Sequence, residues 1–560
     1  MQHLLQNHGG SPIHQRILLR PVIGLLILAA SFACNMPLVQ NAITNTPAAA
    51  STATTNTPTP PTIVSISICS PTGTSGQGSC PSGTFDTRQV VLGPGGAPLN
   101  QHDVGGVTDE HASVLPPGSL QGIKDYLFFV AAGTDVHPHN IGVVALSGGS
   151  GPDSKNRWTL DFAPGYGSYK EGHGQVFVAP IDQIQCPKVA DPIHQDQTFD
   201  LNYAAAGSVV PDPTSGPGNL LMIYEGCNAC IGDDGGHRTG EGAYISVGVA
   251  TSIDSGRTWP TYHAKPTFDF VALPDSSHTQ GPGSPRGALG QSVCIGNDCK
   301  TRPAASYGRY EVLSPPVSLP WLMESGHPAT DAAHDAEPAA FVDDVGSGPD
   351  RYIYEVHIYG PGNVASSPDQ LLDKRDHDLT MARARLNGGT APLEFLKWDG
   401  QSYSQPGIGG HEVQILPDGS FENCGDPKQD RGQGSISYVK ETQQYLLTFV
   451  CKSKGDPAGG ASGGQPGSAW FYATTGDLSH PQWSTPREII GSWTLHDTGP
   501  NNSYGCPVYP GWYPTFMSLD HKPGNLGLHG YVFSMWGCLS AGDNPPTRKY
   551  VSREFSITIR

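Results

Sequence analysis

Residues Ser252-Ile253-Asp254-Ser255-Gly256-Arg257-Thr258-Trp259 follow an apolar run, Ala243-Tyr244-Ile245-Ser246-Val247-Gly248-Val249-Ala250. A β-prone run followed by Ser-x-Asp-x-Gly-x-Thr-Trp spells a hairpin. The short Ser and Asp side chains hydrogen-bond their own backbone and hold a turn. Gly256 takes positive φ without a Cβ clash. Thr258 and Trp259 suit the start of a returning strand, with the indole covering the turn. The 71 glycines and 51 prolines among 560 residues suit many short strands joined by loops. No long segment carries a helical period.

One order of motifs recurs five times: a short strand opened by a small or polar residue, an aromatic-rich strand, then a third strand. The copies begin at Glu110–Leu115, Ala206–Val210, Glu337–Val342, Gly434–Val439 and Tyr513–Met517. Their second strands are Asp125–Val130, Asn219–Glu225, Arg351–Tyr359, Gln444–Val450 and Tyr531–Trp536. The period is roughly 80 to 130 residues, as expected for repeats with long insertions. Five copies of about four strands each predict an all-β, five-bladed β-propeller. A β-sandwich needs strands but no recurring order, so it is the weaker reading. Residues near 85–108 or the C-terminal strand are expected to close the ring. Thr261–His334 reads as a rim insertion carrying Cys294 and Cys299.

The organisation read from sequence is a signal peptide over 1–33, a Thr/Pro/Ala-rich linker over 34–84 and the propeller over 85–560. Arg16 and Arg20 precede an apolar stretch, Pro21 to Ala33, too short to span a bilayer comfortably. Ser31-Phe32-Ala33 fits a small-x-small cleavage site and leaves Cys34 first in the mature chain. Two readings stay open, a lipoprotein signal with Cys34 lipidated and plain secretion; either makes the protein extracellular or surface-held. Thr57-Pro58-Thr59-Pro60-Pro61 favours an extended stalk. The 12 cysteines fit disulfides in an oxidising compartment, with Cys69 near Cys80, Cys294 near Cys299, Cys424 near Cys451 and Cys506 near Cys538. A formal net charge of −18 excludes nucleic acid as a partner and leaves a terminal lipid anchor as the only route to a membrane.

In a propeller the innermost strands line a central channel, so their opening residues converge. They include Asp109, Glu110 and His111; Gly207 and Ser208; Asp335 and Glu337; Gln433, Ser435 and Ser437; Trp512 and Tyr513. Carboxylates on separate blades, with aromatic and hydroxyl groups between them, suit a sugar. Glu110, His111, Ser208, Ser435, Trp512 and Tyr513 are the expected substrate contacts, a polysaccharide the expected partner and a monomer the expected state. No histidine spacing supports zinc or another metal set, although His111, His334 or His357 could help hold a structural calcium. A sialidase would need an arginine cluster, and nothing in the sequence gathers Arg351, Arg383 and Arg431.

Ser252–Trp259 resembles the Asp-box of sialidases and other propellers. From about Thr108 to Arg560 the chain resembles the five-bladed propeller glycosidases, which include arabinanases, xylosidases and invertase–levansucrase enzymes. Gly207-Ser208-Val209-Val210 with Leu221–Gly226, Asp335-Ala336-Glu337-Pro338, and Phe471–Trp483 carry that resemblance. It implies hydrolysis by an acid–base pair of carboxylates. By position Glu337 would be the acid and Asp109 the base or nucleophile; a one-residue register shift would put Glu110 in place of Asp109. The second inner strand, Ala204–Ser208, offers no acid, so the third carboxylate falls to Asp335 or Glu225. The rival reading is a non-catalytic, glycan-binding propeller.

Overall fold

Each of the five sequence copies forms an antiparallel run of strands in chain order, and a single parallel bridge, His334 with Ile245, joins the second and third runs into one nine-stranded sheet. The computed structural model describes residues 60–68, 91–93, 99, 110–132, 142–154, 157–166, 175–178, 200, 203–228, 244–259, 309–314, 334–345, 350–360, 378–388, 393–408, 410–416, 431–452, 468–490, 508–538 and 548–560. Among them there are strands and no α-helix. With strands numbered along the chain, blade I holds β2 (Ser113–Leu115), β3 (Leu127–Ala132) and β4 (Gly142–Ser147), the last flanked by β5 (Asp161–Phe162) and β6 (Gln175–Val178). Blade II is β7 (Tyr203–Pro211), β8 (Leu220–Asn228), β9 (Tyr244–Ser252) and β10 (Arg309–Leu313). Blade III is β11 (His334–Asp343), β12 (Arg351–Gly360), β13 (Asp378–Leu386), β14 (Phe395–Trp398) and β15 (Tyr403–Pro406). Blade IV is β16 (Arg431–Val439), β17 (Gln444–Lys452), β18 (Ser468–Thr475) and β19 (Arg487–Ile490). Blade V is β20 (Val508–Met517), β22 (His529–Cys538), β23 (Arg548–Ile559) and, outermost, β1 (Ile63–Ile68). The short β21 (Asn525–Leu526) runs parallel to β16.

Apolar residues on both faces of each blade leave no sheet with a wet face, so every blade must pack against two others. Five separate apolar layers result, one between each neighbouring pair. Phe129 and Met222 meet between blades I and II, Ile223 and Ile353 between II and III, and Phe341 and Phe449 between III and IV. Trp470 and Val532 meet between IV and V, and Phe533 and Phe128 between V and I. That closed cycle makes the molecule a five-bladed propeller rather than two stacked sheets.

Closure differs in part from the sequence expectation. Described structure ahead of residue 85 belongs to blade V. β1 lies inside the stretch read as linker, where Ile63, Ile66 and Ile68 are buried against β23. Its few apolar residues are outnumbered by Thr and Pro on one side, which hid the strand. Within the stretch 85–108 the expected role does hold: Val91 N–H donates to Tyr550 O and Leu92 N–H to Trp158 O, tying blade V to blade I. The insertion Thr261–His334 also contains β10, the outer strand of blade II. The signal segment, Cys34 and the paired cysteines other than Cys451 and Cys538 lie outside the described residues.

The Ser252–Trp259 turn is held as its residues dictate. Gly256 N–H donates to Ser252 Oγ at 2.9 Å, and Thr258 donates to both oxygens of Asp254, N–H at 2.9 Å and Oγ1 at 2.6 Å. The Trp259 indole N–H closes on Gly256 O at 2.9 Å. The turn follows the third strand of its blade and so stands away from the channel.

Candidate active site

The inner strands are interrupted at corresponding places. Ladder register slips between Ala206 and Ser208 on β7, Ala336 and Ala339 on β11, Gly432 and Ser435 on β16, and Trp512 and Thr515 on β20. Each slip is a β-bulge, which re-aims a side chain out of the alternating pattern. Glu337, Gln433 and Tyr513 occupy these bulges with φ of 54°, 54° and 56°, a left-handed conformation costly for residues with a Cβ. The strain is held by hydrogen bonds passed from blade to blade. Glu337 N–H donates to Glu225 Oε2 at 2.7 Å, Gln433 N–H to Glu337 Oε2 at 3.1 Å, and Tyr513 N–H to Gln433 Oε1 at 2.8 Å. The Tyr513 hydroxyl reaches back to Glu337 Oε1 at 2.8 Å. On β7 the bulge residue is Gly207, and a Cβ there would run into the Pro338 carbonyl. No side chain fits, so blade II contributes its acid, Glu225, from β8 instead.

Three carboxyl groups from three blades therefore meet: Glu110 just ahead of β2, Glu225 on β8 and half-buried Glu337 on β11. Glu110 and Glu225 are buried. Burial pushes Glu110 well up, and the charges of Glu225 and Glu337 add to it. The His111 backbone N–H works against this rise. A proton on Glu110 lets it donate to Glu225, so the two act as a proton-sharing pair. Glu225 is raised by burial, with the Glu337 N–H and the Glu110 carboxyl pulling the other way. Burial pushes Glu337 up to about 7, against the hydrogen bond from Tyr513.

Of the expected site residues, Asp109 lies outside the described residues, whereas Glu110, His111, Glu337 and Tyr513 come together. His111 packs edge-on to Tyr513 with ring centroids 5.4 Å apart, and burial lowers it to about 3, so it is a neutral imidazole. Ser208 and Ser435 line the channel with Ser113, Ser437 and Thr515. Ser208 Oγ already accepts Ala340 N–H at 2.8 Å, and Ser435 Oγ pairs with Thr448 Oγ1 at 2.8 Å. Trp512 packs against the apolar layer between blades V and I. Asp335 does not join the carboxyl group: it is fully buried between blades, and of the two alternatives Glu225 is the one in contact with Glu337.

Solved structures to which the chain shows similarity include the catalytic domain of a GH62 α-L-arabinofuranosidase from Coprinopsis cinerea, 10% identical over 85% of this chain and 94% of that one, with a TM-score of 0.34. An endo-1,5-α-L-arabinanase from Thermotoga petrophila is 11% identical over 84% and 74%, with a TM-score of 0.37. Levansucrase of Bacillus subtilis is 10% identical over 82% and 88%, with a TM-score of 0.38. No family model and no curated protein matches the chain. The five-bladed architecture rests on the strand order and the five apolar layers, not on these likenesses.

Asp335 belongs to a second cluster, between blades II and III, that the sequence did not disclose. Lys397 on β14 is fully buried, and its Nζ donates to Ser314 O at 2.6 Å, to Asp335 Oδ2 at 3.1 Å and to Glu412 Oε1. His357 on β12 faces Glu355 through Nδ1 and Glu412 through Nε2, each at 2.7 Å. Burial works to lower His357 and Lys397, but the surrounding carboxylates outweigh it and keep both cationic. Burial likewise works to raise Glu412, and Lys397 with His357 holds it well below the usual carboxylate range. Asp335 goes the other way, raised by burial and by Glu412. Donor atoms of Asp335, His357 and Glu412 lie within 4.8 Å of one another, a spacing that would suit a metal ion. The ammonium of Lys397 contacts two of the three and takes the place of a cation. The signal for this cluster was Lys397 at an inward position of Phe395-Leu396-Lys397-Trp398, where Leu396 faces out.

Proposed function

We propose that the protein is a glycoside hydrolase that cleaves a neutral glycan by acid–base catalysis. Glu337 is the acid, and the Glu110–Glu225 pair supplies the carboxylate that acts as base or nucleophile. The observation that carries this reading is the meeting of three carboxyls from three blades, Glu110, Glu225 and Glu337. Burial raises all three above the ordinary carboxylate value, Glu337 to about 7, and carboxyls with shifted values can divide acid and base work. Glu337, titrating near 7 and half-buried, can hand a proton to a leaving oxygen. Glu110 is raised further than Glu225, which the Glu337 N–H and the Glu110 carboxyl pull back down, so Glu225 is the better placed of the two to act as the carboxylate. Three acids so close repel an anionic sugar. Export, with Cys34 at the start of the mature chain, is proposed from Arg16–Ala33 alone. N-terminal analysis of the mature protein tests it, and an intact Met1 overturns it.

A panel of aryl glycosides with good and poor leaving groups tests the catalytic reading. Glu337→Gln should lose turnover on poor leaving groups by a factor of about 10² to 10⁴ and retain it on dinitrophenyl glycosides, which depart without a proton. Equal loss on both would remove Glu337 from the acid role. Retention of glycans by the wild type with no cleavage of any would leave a binding protein.

A further inference from the structure

We propose that Lys397, with Asp335, His357 and Glu412, is a positioning unit that fixes the entry to β11 and thereby holds the strained bulge from which Glu337 reaches the channel. This deepens the hydrolase reading and rests on it for the role of Glu337, not for the geometry. Asp335 stands two residues before Glu337. It is in ladder register with Tyr359, as Ala336 is with Ile358, and pairing resumes only at Ala339 with Val356. Glu337 and Pro338 thus hang between two fixed points. On the far side Pro338 is pressed against Gly207. On the near side Asp335 is held by Lys397 at 3.1 Å, with His357 Nε2 3.8 Å away. Lys397 reaches that point from the fourth strand of the blade and also caps Ser314 O, which follows β10, and Gly410 O. One ammonium ties three segments of chain, β14, the end of β10 and residues 410–412, to the first strand.

The chemistry is an expensive way to fill space. The rest of the layer between blades II and III is apolar, with Leu221, Ile223, Val249, Ile353 and Ala384 packed together. A buried ion cluster seldom outdoes an apolar filling of the same shape for stability, and its best-attested use is to fix one geometry. A residue such as Glu337 keeps a left-handed φ only where its surroundings over-determine it. Lys397 and His357 stay cationic, Glu412 is held ionised beside them, and burial with Glu412 raises Asp335.

The test replaces the ion pair without leaving a bare charge. Lys397→Met alone strands buried carboxylates and risks unfolding. The double variant Lys397→Met with Glu412→Gln leaves the net charge of the cluster unchanged. Glutamate ¹³C-carboxyl NMR on the full chain follows the titration of Glu337, its signal assigned by disappearance in Glu337→Gln. In the wild type the midpoint is about 7. In the folded double variant the bulge relaxes and the donors from Tyr513 and Gln433 are lost, so the midpoint rises by about one unit, a tenfold change in proton affinity. On an aryl glycoside with a poor leaving group, kcat falls about tenfold and KM holds. Asp254→Ala, a turn variant outside the channel, lowers Tm and leaves the midpoint in place. A folded double variant with an unmoved midpoint overturns the proposal even if the wild type cleaves glycosides. A midpoint that moves equally in Asp254→Ala overturns it as well. A midpoint that moves only in the double variant upholds the positioning role even if no glycoside is cleaved, and the hydrolase reading alone then falls.

Discussion

At the scale of single residues the site is governed by opposed effects on one carboxyl. Burial pushes Glu337 up to about 7, and the hydrogen bonds from the Tyr513 hydroxyl and the Gln433 amide restrain the rise. Removing one donor should let burial win further. A hydrogen bond to a charged group contributes roughly 1.5 to 3 kcal/mol, which is about one to two pKa units. Tyr513→Phe keeps the backbone and the ring packing on His111 and deletes only the donor. The proton on Glu337 is then retained to higher pH, so the alkaline limb of the kcat/KM profile should move upward by about one unit from its wild-type position near 7. A limb that stays in place, with the variant folded, would mean that another group sets it. Glu337 was readable in advance because it opens an inner strand before a proline. Glu225 was only one of two alternatives, since it sits mid-strand in Leu221-Met222-Ile223-Tyr224-Glu225, where alternation alone does not say that the next blade carries a bulge opposite.

At the scale of elements the strands were legible and their interruptions were not. Inner and second strands announce themselves through aromatic and β-branched runs such as Tyr445–Val450. The outer strands, buried on fewer sides, carry weaker patterns: Arg309–Leu313 and Ile63–Ile68 are short and isolated among loop-like residues. Bulges leave still less trace, because what fixes them is the neighbouring blade. Gly207 is the exception, since its lack of a side chain lets Pro338 approach. Gly207→Ala should therefore act well beyond its size. The obstacle is a backbone carbonyl, which cannot rotate away, so the overpacking cost lies toward the upper end of about 1 to 3 kcal/mol. The displaced Pro338 carries Glu337 with it. Thermal unfolding should show a lowered Tm, and turnover should fall further than the loss of folded protein explains. Unchanged activity at a lowered Tm would show that Glu337 does not depend on this contact.

At the scale of the whole molecule, the ring closes through β1, and the price of gathering carboxyls at its centre falls on stability. Glu110, Glu225 and Glu337 all have native pKa values above the ordinary 4.5. Between 4.5 and the native value the folded state binds more protons than the unfolded chain, so stability falls as pH rises through that window. Below about 4.5 the contribution is fully present; above the native value it is lost. For Glu337, with a native value of about 7, the loss is about 3 kcal/mol by the time the group is ionised. Burial drives Glu110 in the same direction. Glu412 opposes this only in acid, because its depressed value gives stability that is present above 4.5 and disappears as pH drops below. The protein should therefore be most stable in mildly acid solution. Calorimetric Tm measured from pH 4.5 to 8.5 should decline across neutrality, and Glu337→Gln should flatten the decline and raise Tm at the alkaline end. A Tm that climbs steadily over that range would show that the three carboxyls ionise without cost, and with it would go the electrostatic basis for assigning acid and base among them.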